Sequence, residues 1–188
     1  KQILHYLKKK NIFKLDTSVE YKHADKKIGL VKNNKWKIIT KLKFTDFQLN
    51  KMSQNEIKSF MLKKLTISKK NIGIKKIDTL LIHNFEMFKN NNKSKIYKIL
   101  LNLKKEKLIN KIGYSIYNFR KLKESIRKFC PDVVQCPFNV FDRRLNEANL
   151  LKIIKKNKVE VHSRSVFLQG LLLRPCKSLP IKFKKWKK

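Results

Sequence analysis

Asp78-Thr79-Leu80-Leu81-Ile82-His83-Asn84 is the stretch on which the fold turns. Leu80, Leu81 and Ile82 are consecutive apolar residues without the in–out alternation of a strand that has one wet face. They read as a strand covered on both sides, the habit of parallel sheets. Moving outward, similar short runs occur at Phe13–Leu15, Trp36–Thr40, Ile112–Ser115, Val133–Gln135 and Val159–His162. Between them lie segments of helical period. Ile96, Ile99, Leu100 and Leu103 follow i, i+3, i+4, i+7 spacing, and Ile57, Phe60 and Met61 follow it in part. Phe119, Leu122, Ile126 and Phe129 mark another face, Leu150, Leu151 and Ile154 another, and Ile3, Leu4 and Leu7 place the chain's start inside a helix. Strands alternating with helices predict parallel β/α units. A doubly wound sheet and a barrel share that pattern. No GxGxxG or GxxxxGK[ST] follows the first strand, which counts against nucleotide-binding doubly wound folds and favours an α/β parallel (β/α)₈ TIM barrel.

At 188 residues the chain is long enough for a single domain spanning 1–188. A complete barrel usually takes about 250 residues and eight strands. The expectation is therefore an incomplete barrel of about six β/α units, followed by a basic tail over 177–188 that carries Lys182, Lys184, Lys185, Lys187 and Lys188. The net charge of +35 invites a nucleic-acid reading, but arginine appears only at Arg120, Arg127, Arg143, Arg144, Arg164 and Arg174. Lysine is a mobile point charge and lacks arginine's bidentate fork for phosphates and bases. The lysines are spread along the chain among many Asn and Ile, so they read as a solvated coat with non-specific attraction to polyanions. No helix-turn-helix, zinc or RNP-type motif predicts a specific nucleic-acid partner. Cys130, Cys136 and Cys176 make no CxxC pair and no metal spacing with His5, His23, His83 or His162, which points to a reducing, cytoplasmic setting without metal. No apolar run has the length to cross a bilayer and no signal-peptide pattern is present, so no membrane partner is expected.

Polar side chains recur where the predicted strands end, which in a barrel is the catalytic face. The first strand runs into Asp16-Thr17 with Tyr21 shortly after, the second into Thr40-Lys41, and the third into His83. Singly, each has a plain explanation. Asp16 could cap a helix, Lys41 could be a surface lysine, Tyr21 a loop aromatic, and His83 a hydrogen-bonded structural residue. On consecutive strands they form a set suited to carbonyl reduction. Tyrosine is a weak acid at neutral pH. A neighbouring ammonium stabilises the phenolate, and a carboxylate keeps that ammonium charged and oriented. A neutral histidine can hydrogen-bond a substrate carbonyl and position it.

Six stretches carry a resemblance: Leu15-Asp16-Thr17-Ser18-Val19-Glu20-Tyr21, Ile39-Thr40-Lys41-Leu42, Asp78-Thr79-Leu80-Leu81-Ile82-His83-Asn84, Lys111-Ile112-Gly113-Tyr114-Ser115, Val133-Val134-Gln135-Cys136-Pro137-Phe138-Asn139 and Ser163-Arg164-Ser165-Val166-Phe167. In this order and at these separations they resemble the aldo-keto reductases over nearly the whole chain. The resemblance implies an NADP-dependent oxidoreductase, with NAD possible, acting on a small aldehyde or ketone. It makes Tyr21 the general acid, Lys41 its charged partner, Asp16 the anchor of Lys41, and His83 the group that orients the substrate. It places Ser115 and Gln135 where relatives hold the nicotinamide carboxamide. Arg164 falls where many relatives stack an aromatic ring on the nicotinamide, a task a planar guanidinium could share.

Departures from the pattern are specific. Lys22 stands where Gly is common after the tyrosine, Ile116 replaces the Asn of a Ser-Asn pair, and Asn84 replaces a frequent aromatic. Counterparts of the first barrel strand, the N-terminal hairpin and the last strand with its phosphate-binding helix are not expected within these residues. Two other readings stand beside the reductase: a relative that binds without catalysis, and a non-specific polyanion binder.

Overall fold

The computed structural model describes residues 1–21, 23–178, 180 and 181. Lys22 and the basic tail from Lys182 onward lie outside the described residues, as do the side chains of Glu147, Ala148 and Cys176. The elements run α1 (Gln2–Lys9), β1 (Lys14–Asp16), α2 (Ala24–Gly29), β2 (Lys37–Leu42), α3 (Asp46–Lys51), α4 (Gln54–Ile72) and β3 (Ile77–His83). They continue with α5 (Asn90–Lys105), β4 (Ile109–Ser115), α6 (Phe119–Lys128), β5 (Val133–Pro137), α7 (Leu150–Lys156) and β6 (Glu160–Arg164). Short 3₁₀ turns fill the loops after β3, β5 and β6.

All six strands are parallel, and their order in the sheet is their order in the chain. Side chains alternate across each strand. Leu15, Ile38, Leu42, Leu80, Ile82, Ile112, Tyr114, Val134 and Cys136 face the helices and share the main core with Ile57, Met61, Ile96, Leu100, Leu122 and Ile126. The other face is concave. Bonds between strands that are not neighbours prove the curl: Lys14 on β1 reaches Glu160 on β6 at 3.0 Å, and Gln135 on β5 reaches Asp16 on β1 at 3.1 Å. Such reach requires both partners to point into one interior, which makes this an incomplete (β/α) barrel.

That interior is only thinly apolar. Ile39, Leu81 and Val133 form one small buried cluster. Gly113 lies level with Leu81 and Val133, and a β-carbon there would stand 2.3 Å from the Val133 carbonyl oxygen and 2.6 Å from Leu81 Cδ2, so only glycine lets the layer close. Toward the strand starts, Glu160 pairs with Lys14, with Lys111 and, at 2.8 Å, with His162. Most barrels fill such layers with branched aliphatics; here a charged clasp does part of that task.

Local chemistry sets the helix bounds. Thr45 with Gln48 and Ser53 with Glu56 form capping boxes that start α3 and α4, and Gly73 in the left-handed region ends α4. Asn118 caps α6 by accepting from the Lys121 amide at 3.2 Å. Gly29 ends α2 against α4, where an added β-carbon would meet the Asn71 carbonyl at 2.1 Å. Several bounds differ from the sequence expectation. β1 lies one residue later than Phe13–Leu15, because its ladder with β2 pairs Lys14 to Asp16 with Lys37 to Ile39. Phe129 falls just past α6 and packs edge-on against Phe85 and Tyr97. No helix among the described residues is long and apolar enough to cross a membrane, and Cys130 and Cys136 are free thiols.

Candidate active site

The ladder brings the polar residues together at the C-terminal ends of the strands. Asp16 closes β1, and Lys41 lies one inward position beyond its β2 neighbour Ile39. The Lys41 ammonium donates to Asp16 Oδ1 at 2.6 Å and to the Thr17 carbonyl at 3.0 Å. Its side chain is 6% exposed, so the charge needs these partners to remain buried at tolerable cost. Gln135 also donates to Asp16 Oδ1, from Nε2. Asp16 thus gathers a cation from β2 and an amide from β5.

Tyr21 is carried by the loop after β1. That loop is pinned to β2 by the Ser18 hydroxyl, which donates to the Lys41 carbonyl at 3.3 Å and accepts from the Glu20 amide at 3.2 Å. The Tyr21 amide closes a turn onto the Ser18 carbonyl at 2.9 Å. The phenol ring is 56% exposed, and the Lys41 ammonium stands 5.8 Å from its centre. At that separation the ammonium attracts the ring face.

His83 ends β3 beside Ser115 of β4. Burial first, then the nearby charges of Arg164, Lys43 and Lys41, hold its pKa below the ordinary imidazole value, so the neutral ring is favoured. Its Nδ1 is buried without a partner among the described residues. Ser115 and Gln135 are ladder neighbours, and Ser115 Oγ and Gln135 Oε1 are likewise buried and unpartnered. Gln135 gives one amide hydrogen to Asp16, and its buried oxygen stays open to a donor from a ligand. A carboxamide offers one carbonyl acceptor and one NH₂ donor, which a serine hydroxyl and this Gln oxygen complement. The pair therefore fits the nicotinamide headgroup expected from the sequence.

Arg164, at the end of β6, is engaged within the protein. Its guanidinium lies 3.6 Å from the centre of the Tyr117 ring, donates to the Ile116 carbonyl at 2.9 Å, and contacts the Tyr117 hydroxyl. One planar face of the arginine is thus covered by tyrosine. Tyr117 also lies beside His83, their ring centres 5.8 Å apart.

Several contributors escaped the sequence reading. Tyr117 followed no motif, and its loop is held by buried Glu86, whose Oε1 accepts from the Tyr117 and Asn118 amides at 3.0 and 3.1 Å. The Gln135–Asp16 bond joins residues 119 apart in sequence, beyond any local pattern. Beside His83 opens a cavity of about 790 Å³ lined in part by Asn84, Met87, Tyr117 and Arg120. Asn84 turns the chain out of β3 with φ near 53°, a conformation asparagine tolerates better than bulkier residues.

Known proteins share the family signature and the fold. The sequence matches the Aldo/keto reductase family over residues 1–187. No curated protein matches at a significant level. Among solved structures, the apo form of aldo-keto reductase AKR11C1 from Bacillus halodurans superposes with a TM-score of 0.72 at 19% identity, covering 93% of this chain and 57% of that one. An aldo/keto reductase from Brucella melitensis gives 0.66 at 19% identity, with 93% and 65% covered. MGS-M4, an aldo-keto reductase from a Medee basin deep-sea metagenome library, gives 0.68 at 21% identity, with 100% and 67% covered. The chain thus spans roughly three-fifths of the length of the first two. With the parallel six-stranded barrel segment and the motif order, the match over residues 1–187 places this chain in the aldo/keto reductase family.

Proposed function

We propose that these residues form the reducing centre of an NAD(P)H-dependent oxidoreductase that converts an aldehyde or ketone to an alcohol. The observation that carries the reading is the buried Lys41 ammonium, 2.6 Å from Asp16 and 5.8 Å from the Tyr21 ring. In this reading Tyr21 protonates the carbonyl oxygen as the carbonyl carbon gains hydride. Lys41 stabilises the phenolate left behind, and Asp16 keeps Lys41 aimed. His83, favoured neutral, hydrogen-bonds the carbonyl and fixes its angle of approach. Ser115 and Gln135 hold the carboxamide, which sets the nicotinamide face presented to substrate; the bound cofactor supplies the hydride. The family preference favours NADP over NAD, and a cytoplasmic setting follows from the cysteine usage. Arg164, stacked on Tyr117, helps shape the wall of the site.

The test is Tyr21→Phe. With small aldehydes as substrates, the variant is expected to lose carbonyl reduction by about a thousandfold or more, the scale of losing a general acid and its electrostatic support. NADPH binding, measured separately by calorimetry, should stay within about twofold of wild type. Turnover retained in Tyr21→Phe would sink the mechanism. NADPH binding unchanged in Gln135→Ala would sink the carboxamide assignment.

A further inference from the structure

We infer that the reducing centre takes a short oxo acid, a carbonyl compound with a carboxylate a few bonds from the carbonyl, and that Lys43 binds the carboxylate. The inference rests on the reading of His83 as the group that orients the substrate carbonyl. Lys43 stands just past the end of β2. Leu42 and Phe44, on either side of it, both belong to the core beneath the helices. Side-chain alternation therefore puts Lys43 on the other face, with Lys41, at the barrel mouth. The ladder sets Leu42 level with Ile82, and one place further on it sets Lys43 level with His83. Neighbouring strands lie about 5 Å apart, so a lysine side chain there can reach a group bound against the imidazole. Lys43 is exposed and, among the described residues, makes no hydrogen bond or ion pair.

Three cations bear on His83. After burial itself, the strongest influences on the ring are the positive charges of Arg164, Lys43 and Lys41. Lys41 is matched by Asp16 at 2.6 Å. Arg164 is turned onto the Tyr117 ring and the Ile116 carbonyl. That leaves Lys43 as the member of the three whose ammonium is open to a ligand. Glu86 decides the side of His83 on which an anion sits. Its carboxyl lines the neighbouring cavity with Asn84, Tyr117 and Arg120, and it works against an anion there. The substrate carboxylate accordingly goes to the β2 side, onto Lys43, through a charge-assisted hydrogen bond. With the carbonyl on His83 and the carboxylate on Lys43, two fixed points orient the carbonyl carbon.

The test has a binding arm and a kinetic arm, both on the whole chain in about 0.15 M sodium chloride, which screens diffuse attraction to other lysines. Succinamate carries one amide carbonyl and one carboxylate and cannot be reduced by this chemistry. Titrated into wild type, it is expected to shift the His83 ring signals in NMR saturably, about tenfold more tightly than neutral succinamide, the scale of one hydrogen bond to a charged group. Lys43→Met should remove that difference, Lys43→Arg should keep most of it, and Lys98→Met, which removes an exposed lysine on α5, should leave it unchanged. His83 signals that do not move, or equal weakening by Lys43→Met and Lys98→Met, would overturn the inference. In the kinetic arm, succinic semialdehyde is compared with its methyl ester, with NADPH as reductant. The acid should have the higher kcat/KM by about tenfold in wild type and by less than about twofold in Lys43→Met. Equal turnover of acid and ester in wild type would overturn the substrate class and leave the reductase reading standing. Turnover of neither, with succinamate bound, would sink the reductase reading and the substrate class with it.

Discussion

Glu160→Gln tests the charged clasp inside the barrel. In the native protein Lys111, then His162 and Lys14, hold the Glu160 carboxyl down at about 2 from an ordinary value of 4.5. A group held that far down corresponds to at most about 3.4 kcal/mol of folding free energy. Glu160 is 35% exposed, and solvent screening reduces the figure to about 1–2 kcal/mol. The sign follows from proton binding. Between 4.5 and 2 the unfolded chain takes up the proton and the folded chain does not. The contribution is therefore complete above 4.5, declines as pH falls, and is gone below about 2. Glutamine keeps the shape, removes the charge, and leaves Lys14 and Lys111 facing each other. Urea unfolding followed by far-ultraviolet circular dichroism, at low salt and several pH values, measures the effect. At neutral pH the variant should be less stable by about 1–2 kcal/mol. The two proteins should converge as pH approaches 2. Equal stability at neutral pH, or a gap that persists undiminished at the acid end, would refute the clasp.

Two further predictions concern the interior. Gly113→Ala should destabilise the fold by about 3 kcal/mol, at the upper end of overpacking costs, because the new methyl meets a backbone carbonyl that cannot swing aside; chemical denaturation reads this directly, and a neutral result would contradict the tight layer. The His83 imidazole should titrate by NMR with a midpoint below 6.5, and Arg164→Met should raise it. Neutral His83 stabilises the fold above the ordinary imidazole pKa, and this contribution falls as pH drops through the folded-state value. A midpoint at or above 6.5 would contradict the assigned burial and charge environment.

The sheet was readable in the sequence because parallel strands covered on both faces leave continuous apolar runs, of which Leu80-Leu81-Ile82 is the clearest. Asp16, Lys41, His83, Ser115 and Gln135 were readable because each sits at or near a strand end, where a barrel displays side chains. What stayed hidden depends on contact across the interior. Lys14, Lys111 and Glu160 look like any other charged residues of a lysine-rich chain until the curl brings them together. Arg164 carries no mark of its stacking on Tyr117, since the two lie 47 residues apart.

The sheet's strand order has a consequence for how the molecule assembles. Each strand pairs with the one before it, so the backbone ladder demands closure only of modest loops. Each pairing still encloses a crossover with its helix, so it forms more slowly than a local helical contact. The two bonds across the barrel, Asp16 with Gln135 and Lys14 with Glu160, join residues 119 and 146 apart, and they can form only once the later strands have docked. They are expected on the native side of the folding barrier, as fasteners added to a sheet already built, which folding and unfolding rates of Gln135→Ala would check. Their loss would hasten unfolding while leaving the rate of folding nearly untouched, so the same atoms that orient the polar interior also set the native state's lifetime.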